Sequence, residues 1–304
     1  MASYRLHYLA AKAVINNDDC DGLLTEYGDC FLLGAQGGDL LFYAFGKFRG
    51  YGARTHDEGN FETFSRLLGY CKSNDRKDVL AYCLGYLCHY ALDSALHPYV
   101  EYEAETRLPA LYPEHLKGCL HMMLETRVDC AFAKAATERG EDVSLKSVLV
   151  TRKRAALSLA AVWHDVVDKI YGVDVPFSLL KKLPSRMYRY QRVFYKPRSL
   201  PCAVLRFAAK KMGYPSYIVG FFLPDGTDPD CDFLNEEHRS YPVYIDADET
   251  ASFSCREIFD NAVATSSVLI RKFLRLCKEG GNLDPADFAI TFSGEKARPF
   301  VPVS

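Results

Sequence analysis

The sequence lacks the marks of a secreted protein held together by disulfide bonds. Its 304 residues include eleven cysteines, an odd number, and no two of them are spaced as CxxC. In a chain of this length we expect these cysteines to be reduced thiols, most of them small core residues. The N-terminus has only a short apolar run and no clear cleavage site, so we predict a cytoplasmic protein.

Long apolar runs and an excess of one charge are also missing. No stretch approaches about 20 uninterrupted apolar residues, which argues against a transmembrane span. The formal net charge is −2, and this near balance argues against a broad surface for nucleic acid or for an anionic membrane. The stretch 181–198 is locally basic and aromatic, and we interpret it as a solvated, partly ordered linker, with a local basic patch as the alternative.

Strand patterns are few, internal repeats are absent, and most of the chain has helical periodicity. Residues 173–250 hold eight of the fourteen prolines. We therefore predict an all-α fold, with one domain over residues 1–304 and a Pro-rich, mostly irregular insertion at about 173–250. The predicted helices cover residues 4–16, 58–73, 74–96, 113–140, 144–172 (as one or two helices) and 254–280, and Pro98 is expected to end the third of them.

Polar side chains recur every four residues in the apolar stretch LCHYALDSALHPYV, residues 87–100. His89, Asp93 and His97 therefore lie along one face of a helix. The outer two histidines differ in height by about 12 Å, because a helix rises about 1.5 Å per residue, whereas a zinc–ligand bond is only about 2 Å long. Neighbouring pairs can share an ion, so the spacing predicts more than one metal, with Asp93 in the middle.

A second helix repeats this spacing with His121 and Glu125, in CLHMMLETRVD. An unpaired carboxylate among apolar residues is costly to bury, and a metal or an Arg or Lys partner would remove that cost. A single pair of this kind often forms only a side-chain hydrogen bond. Two pairs on two helices favour metal binding.

These motifs resemble those of the zinc-dependent phospholipases C, a family related to the single-strand-specific zinc nucleases. One helix of that family reads roughly LGxxxHYxxDxxxPxH, or HYxxDxxxHP in intracellular-type homologues, and the following helix carries HxxxE. LGYLCHYALDSALHPYV and HMMLE are similar to these two elements. The resemblance covers roughly residues 4–130 and extends weakly to the last helix. It implies a multi-helix bundle and a phosphodiesterase with a cluster of zinc ions.

The resemblance also implies a full set of ligands and a catalytic residue. Asp39 would orient or deprotonate the attacking water. One zinc would be held by Asp39, His56, His89 and Asp93, a second by His97, His121 and Glu125, and a third by His7 and Asp93.

The sequence departs from the secreted members of that family. They begin with a tryptophan whose amine and carbonyl bind the third zinc, whereas this chain begins MASY and its only tryptophan is Trp163. Met1, Ala2 or a water would have to take that place. The histidine of the second zinc, His97, also precedes the proline, and the insertion has no counterpart in the secreted pattern. We therefore expect two or three zinc ions.

The function implied is metal-dependent hydrolysis of a small phosphoester or a phospholipid-type substrate. Two alternatives stay open. One is another all-α metal phosphohydrolase, with His56 and Asp57 as paired ligands, or a nuclease. The other is a non-catalytic binding protein stabilised by metal. Asp57, Glu58 and Asp129 are candidate hydrogen-bond acceptors behind the histidines.

Overall fold

The computed structural model describes residues 3–18, 20–48, 50–149, 151–194, 203–204, 207, 211 and 231–300. Helices contain 72% of these residues. The named strands in this part of the chain are Tyr241–Pro242 and Thr250–Ala251, which pair antiparallel. The predicted all-α fold class is therefore confirmed.

Twelve α-helices lie in the described part of the chain. They are α1 Tyr4–Asn17, α2 Leu23–Gly34, α3 Gly50–Asp57, α4 Asn60–Ser73, α5 Lys77–Glu105, α6 Leu108–Leu111, α7 Leu120–Glu138, α8 Leu145–Leu149, α9 Lys153–Tyr171, α10 Phe177–Leu180, α11 Leu183–Phe194 and α12 Cys255–Glu279. Short 3₁₀ helices cover Gly37–Ala44, Gly46–Phe48, Glu114–Cys119 and Pro285–Phe288.

The chain forms two compact units. The first unit contains Met1–Leu6, Leu96–Val150 and Tyr188–Ile258, and the second contains His7–Ala95, Thr151–Met187 and Phe259–Ser304. The boundary at residue 95 falls inside α5, so this one helix supplies candidate ligands to both units. Organisation as a single domain stays a prediction.

Helix α5 is longer than the sequence pattern indicates. We expected Pro98 to end it, but the helix runs on to Glu105 with Pro98 inside it. Proline removes one backbone hydrogen bond of a helix. Here Leu96, Tyr99 and Val100 on either side of it are all buried, and burial of such side chains stabilises a helix by more than its intrinsic propensity does. The helix therefore carries the four-residue pattern past the proline.

Within the second unit, two glycines allow α2 and α5 to approach closely. A Cβ on Gly85 would lie 2.0 Å from the carbonyl oxygen of Phe31, and a Cβ on Gly34 would lie 2.0 Å from that of Tyr82. Only a residue without a side chain fits at either place. The contact fixes α5 against the end of α2 one turn before His89.

The Pro-rich segment 173–250 is less irregular than predicted. Helices α10 and α11 lie in its first part, so residues 183–194 of the partly ordered linker form a helix. Pro184 falls in the first turn of α11, where proline is tolerated, and Met187 on that helix is buried. Residues 231–250 form turns and the short strand pair, as expected of an irregular segment. Residues 195–198 of the basic stretch, and most of 199–230, lie outside the described residues.

Helix α5 is also the one helix in the described part of the chain that is long and apolar enough to cross a membrane. Its most apolar window is 83% buried within the protein. The apolar residues of α5 therefore already have neighbours inside the fold.

Candidate metal centre

Five of the eight candidate ligands converge within the second unit. Asp93 Oδ1 lies 3.0 Å from His7 Nε2, and Asp93 Oδ2 lies 3.2 Å from His89 Nε2. His56 Nε2 lies 3.2 Å from Asp39 Oδ1 and 3.4 Å from His89 Nε2. The atoms form two overlapping groups suited to a metal ion, His7 with His89 and Asp93, and Asp39 with His56 and His89. We call these five residues the buried cluster, since each is at most 7% exposed.

The hydrogen bond behind His56 determines which of its nitrogens faces the cluster. His56 Nδ1 donates a proton to the carbonyl oxygen of Gly52 at 2.7 Å. In the neutral ring this leaves the lone pair of Nε2 directed at the carboxylates of Asp39 and Asp93, at 3.2 and 3.8 Å. A lone pair facing two carboxylates is stable only with positive charge between them, either a proton on the ring or a metal ion. Burial would lower the pKa of His56, but the two carboxylates and the hydrogen bond raise it. The surroundings of His56 Nε2 therefore favour a positive charge.

His89 faces the same situation but is far less able to take a proton. Burial holds the pKa of His89 at about 3, although Asp93 opposes the shift, so the ring is neutral at neutral pH. His89 Nδ1 has two neighbours, the carbonyl oxygen of Ala35 at 3.1 Å and His7 Nδ1 at 3.2 Å, and because the carbonyl can only accept, the proton of the ring lies on Nδ1. The lone pair of Nε2 then faces Asp93 Oδ2. A divalent ion with nitrogen and oxygen ligands, such as zinc, fits this donor set.

The remaining two residues complete the buried cluster. His7 Nε2 is buried and makes no hydrogen bond with the described residues, although it lies 3.0 Å from Asp93 Oδ1. Burial alone would raise the pKa of Asp39, but His56 and His89 hold it below the ordinary value. Asp39 is therefore a carboxylate, the form that binds metal.

Glycines in the turn before Asp39 make room for the histidine rings. Gly37 has φ +48°, and a Cβ there would lie 2.1 Å from His89 Cδ2. A Cβ on Gly38 would lie 2.8 Å from the hydroxyl oxygen of Thr55 and 3.1 Å from the ring of His56. The sequence pattern GAQGGD therefore serves the site directly, since it lets the backbone pass close to both rings.

Aromatic side chains enclose the buried cluster. Phe292 is fully buried, with ring centroids 5.3 Å from His56 and 5.4 Å from His89. The ring centroid of Phe42 lies 5.6 Å from that of His56. Such rings exclude water and lower the local dielectric, which strengthens binding of an ion to charged ligands. Phe292 could not be predicted from the sequence, because nothing in the C-terminal segment marks it as a neighbour of residues 56 and 89.

The other three candidate ligands lie in the first unit. His97 Nε2 lies 3.1 Å from Glu125 Oε1, and His121 Nε2 lies 3.6 Å from the same oxygen. The two rings stack with centroids 5.3 Å apart. Glu125 is buried, whereas the His121 side chain is 33% exposed. We call this the exposed cluster, because its third ligand is accessible to solvent.

Glu101 belongs with the exposed cluster and was not among the predicted residues. Its Oε2 accepts a hydrogen bond of 2.8 Å from His121 Nδ1, which leaves the lone pair of Nε2 for a metal. Burial would lower the pKa of His121, but Glu101 and Glu125 outweigh it and raise that pKa to about 10. The signal that could have found Glu101 is the four-residue spacing itself, which continues from 89, 93 and 97 once Pro98 is allowed inside the helix.

The carboxylates predicted to support the histidines have other partners. Asp57 accepts a hydrogen bond from Ser293, and Glu58 pairs with Arg54. Asp129 accepts from the backbone and guanidinium of Arg5 at the start of α1. Backbone carbonyls and Glu101 take the role we had assigned to them. Met1 and Ala2, the candidates for the place of the N-terminal tryptophan, lie outside the described residues.

We expect Glu101→Gln to weaken zinc binding at the exposed cluster by about 10- to 100-fold, the usual cost of losing a partner behind a ligand. Glutamine keeps the shape of the side chain but is a weaker acceptor for the His121 proton. Equilibrium dialysis with zinc would measure the affinity. Glu105→Gln is the matched control, because Glu105 is exposed one turn further along α5. Equal zinc affinities for the two variants would contradict the role of Glu101.

The geometry thus defines a helical protein with two groups of histidines and carboxylates suited to divalent metal ions. A family model described as zinc-dependent phospholipase C matches residues 6–171, more than half of the chain. The chain therefore belongs to the zinc-dependent phospholipase C family, and the matched segment contains all eight candidate ligands. No curated protein and no solved structure shows significant similarity to the chain.

Proposed function

We propose that this protein is a metal-dependent phosphodiester hydrolase that uses two or three zinc ions. The observation that carries the proposal is the convergence of the buried cluster, where neutral His89 and carbonyl-bound His56 direct lone pairs at carboxylate oxygens. In a hydrogen-bond network His56 would need an added proton, and the Nε2 lone pair of neutral His89 would still face Asp93 with no proton between them, whereas a divalent cation satisfies all of these atoms.

Asp93 and His89 suit a centre with more than one ion. The two carboxylate oxygens of Asp93 face different partners, His7 on one side and His89 with His56 on the other. His89 belongs to both groups of potential ligands. Family resemblance assigned the shared position to Asp93. The distances support a role for both Asp93 and His89 as ligands shared between two ions.

When bound, zinc would polarise a phosphoryl oxygen and lower the pKa of a coordinated water towards about 7. The protein's own residues would hold and orient the reactants. His56 and His89 hold the pKa of Asp39 low, so its side chain stays ionised. The carboxylate would therefore accept a hydrogen bond from a water and orient it. His121 would hold its proton on Nδ1 through Glu101 and keep Nε2 free.

We propose a small phosphoester or a phospholipid-type molecule as the substrate. The family description supports this class, and so does the partly exposed side chain of His121, which gives solvent access to one cluster. The near-neutral charge of the chain favours a small substrate over a long nucleic acid. Localisation in the cytoplasm stays a prediction of the sequence.

The proposal is tested by removing and restoring the metal. We expect the purified protein to contain two to three zinc ions per chain and to hydrolyse bis(p-nitrophenyl) phosphate. Dialysis against a chelator should abolish hydrolysis, and added zinc should restore it. Phosphatidylcholine vesicles and a single-stranded oligonucleotide, run in parallel, distinguish a phospholipase from a nuclease. Full zinc content with no hydrolysis of any of the three would instead favour the metal-stabilised binding protein.

A further inference from the structure

A cavity in the second unit is lined by none of the candidate metal ligands. Its volume is about 280 Å³, and its walls come from the start of α4 and from the segment 285–299. Cavities that bind drug-sized molecules measure roughly 300–1,000 Å³. This one is therefore suited to a smaller molecule.

Charged groups of both signs line this cavity and come from different segments. Asp57 and Glu62 flank the start of α4, while Lys296 and Arg298 lie on the C-terminal segment. Among the described residues, Asp57, Glu62 and Lys296 form no ion pair within 4.0 Å, and Arg298 reaches only Glu295, at 3.9 Å. The acidic and basic groups of the cavity are thus not paired with each other.

The cavity also contains a polar side chain without a hydrogen-bond partner among the described residues. Asn60 is only 4% exposed, and neither its amide nitrogen nor its amide oxygen has a hydrogen-bond partner among the described residues. Burying an amide without a hydrogen-bond partner destabilises the folded protein. Asn60 is also the first residue of α4, whose N-cap Gly59 provides no side-chain cap. The first backbone N–H groups of α4 are therefore directed outward, at the positive end of the helix dipole.

Apolar side chains provide the rest of the lining. Phe61 and Phe288 have ring centroids 6.4 Å apart, and Pro285 and Pro299 lie in the same wall. We propose that this cavity binds a small zwitterion with an apolar part, a molecule that carries an ammonium group and a carboxylate or phosphate group. The ammonium group would face Asp57 and Glu62. The anionic group would face Lys296, Arg298 and the start of α4.

Isothermal titration calorimetry on the full, zinc-loaded chain tests this proposal with four probes. L-leucine carries an ammonium, a carboxylate and an apolar side chain, and its phosphonate analogue, (1-amino-3-methylbutyl)phosphonic acid, carries an ammonium, a phosphonate and the same side chain. N-acetyl-L-leucine and L-leucinamide keep only the negative or only the positive charge. We expect at least one of the first two to bind at least tenfold more tightly than both single-charge probes, and the better of the two identifies the anionic group. No binding, or equal binding of all four, would overturn the proposal.

Substitutions in the walls locate the binding. The double variant Lys296→Ala/Arg298→Ala should weaken binding of the zwitterion at least tenfold. Lys278→Ala is the control, because Lys278 is exposed at the end of α12 and outside the cavity. Asn60→Leu should also weaken binding at least tenfold, while the unliganded protein unfolds at the same or a higher temperature because an unpaired amide has been removed. Affinities unchanged in both cavity variants would place the probe elsewhere and refute the site.

Discussion

Replacing His89 by alanine is expected to cause the largest loss of metal and of activity of any single substitution in this protein. His89 is the one residue common to both ligand groups of the buried cluster, and its ring is fully buried. We expect purified His89→Ala to lose at least one zinc per chain relative to the parent. Loss of a residue that hydrogen-bonds to a metal ligand usually lowers activity by roughly 10- to 100-fold. Because His89 is itself a candidate ligand, phosphodiester hydrolysis should fall by more than that. Metal analysis and hydrolysis of bis(p-nitrophenyl) phosphate measure the two effects.

His164→Ala is the matched control for this experiment. His164 also lies on a helix and donates through Nδ1 to a backbone carbonyl, that of Val175. Its side chain is 46% exposed and belongs to neither cluster. The control should keep its zinc and its activity. Parental zinc content in both variants would exclude His89 as a ligand, and a loss of zinc without loss of hydrolysis would exclude the buried cluster as the catalytic centre.

Much of the candidate metal centre could be predicted, because several of its histidines and carboxylates lie on helices at a fixed spacing. The positions 89, 93 and 97, and separately 121 and 125, follow from helical geometry alone. The family resemblance then supplied His7, Asp39 and His56, whose closeness to His89 depends on how separate helices pack. No periodicity in the sequence contains that information. The contact of Phe292 with His56 could not be predicted from the sequence, because it joins residues more than 200 positions apart in the chain.

The fold could be predicted at the level of its class but less well at the ends of its elements. Proline is a strong local signal for the end of a helix, and it was misleading at Pro98, where the residues on both sides are buried. The same error hid Glu101, since a helix that ends at 97 cannot present residue 101 to His121. Local propensity was overridden by packing, and the missed ligand partner followed directly from the missed turn of helix.

The close approach of α2 and α5 leads to the prediction with the largest effect on stability. Gly85→Ala would place a Cβ 2.0 Å from the carbonyl oxygen of Phe31 and 2.9 Å from the amide nitrogen of Ala35. Both contacts are with backbone, so no side chain can turn aside and the helices themselves must shift. We expect the free energy of unfolding to fall by about 1–3 kcal/mol, the usual cost of an overpacked core. That is a large share of the roughly 5–15 kcal/mol by which proteins are stable.

Gly69→Ala separates this steric effect from the helix propensity of alanine. Gly69 lies within α4, and a Cβ there would have no neighbour within 4 Å. The same substitution should therefore raise the free energy of unfolding, by up to about 1 kcal/mol. Urea unfolding followed by circular dichroism gives both values under one condition. Opposite signs for the two variants are the expected result, and a Gly85→Ala protein as stable as the parent would show that α2 and α5 do not approach as closely as described. Because Gly85 lies one turn before His89, the destabilised variant should also retain zinc less well, which would tie the packing of the two helices to the metal centre.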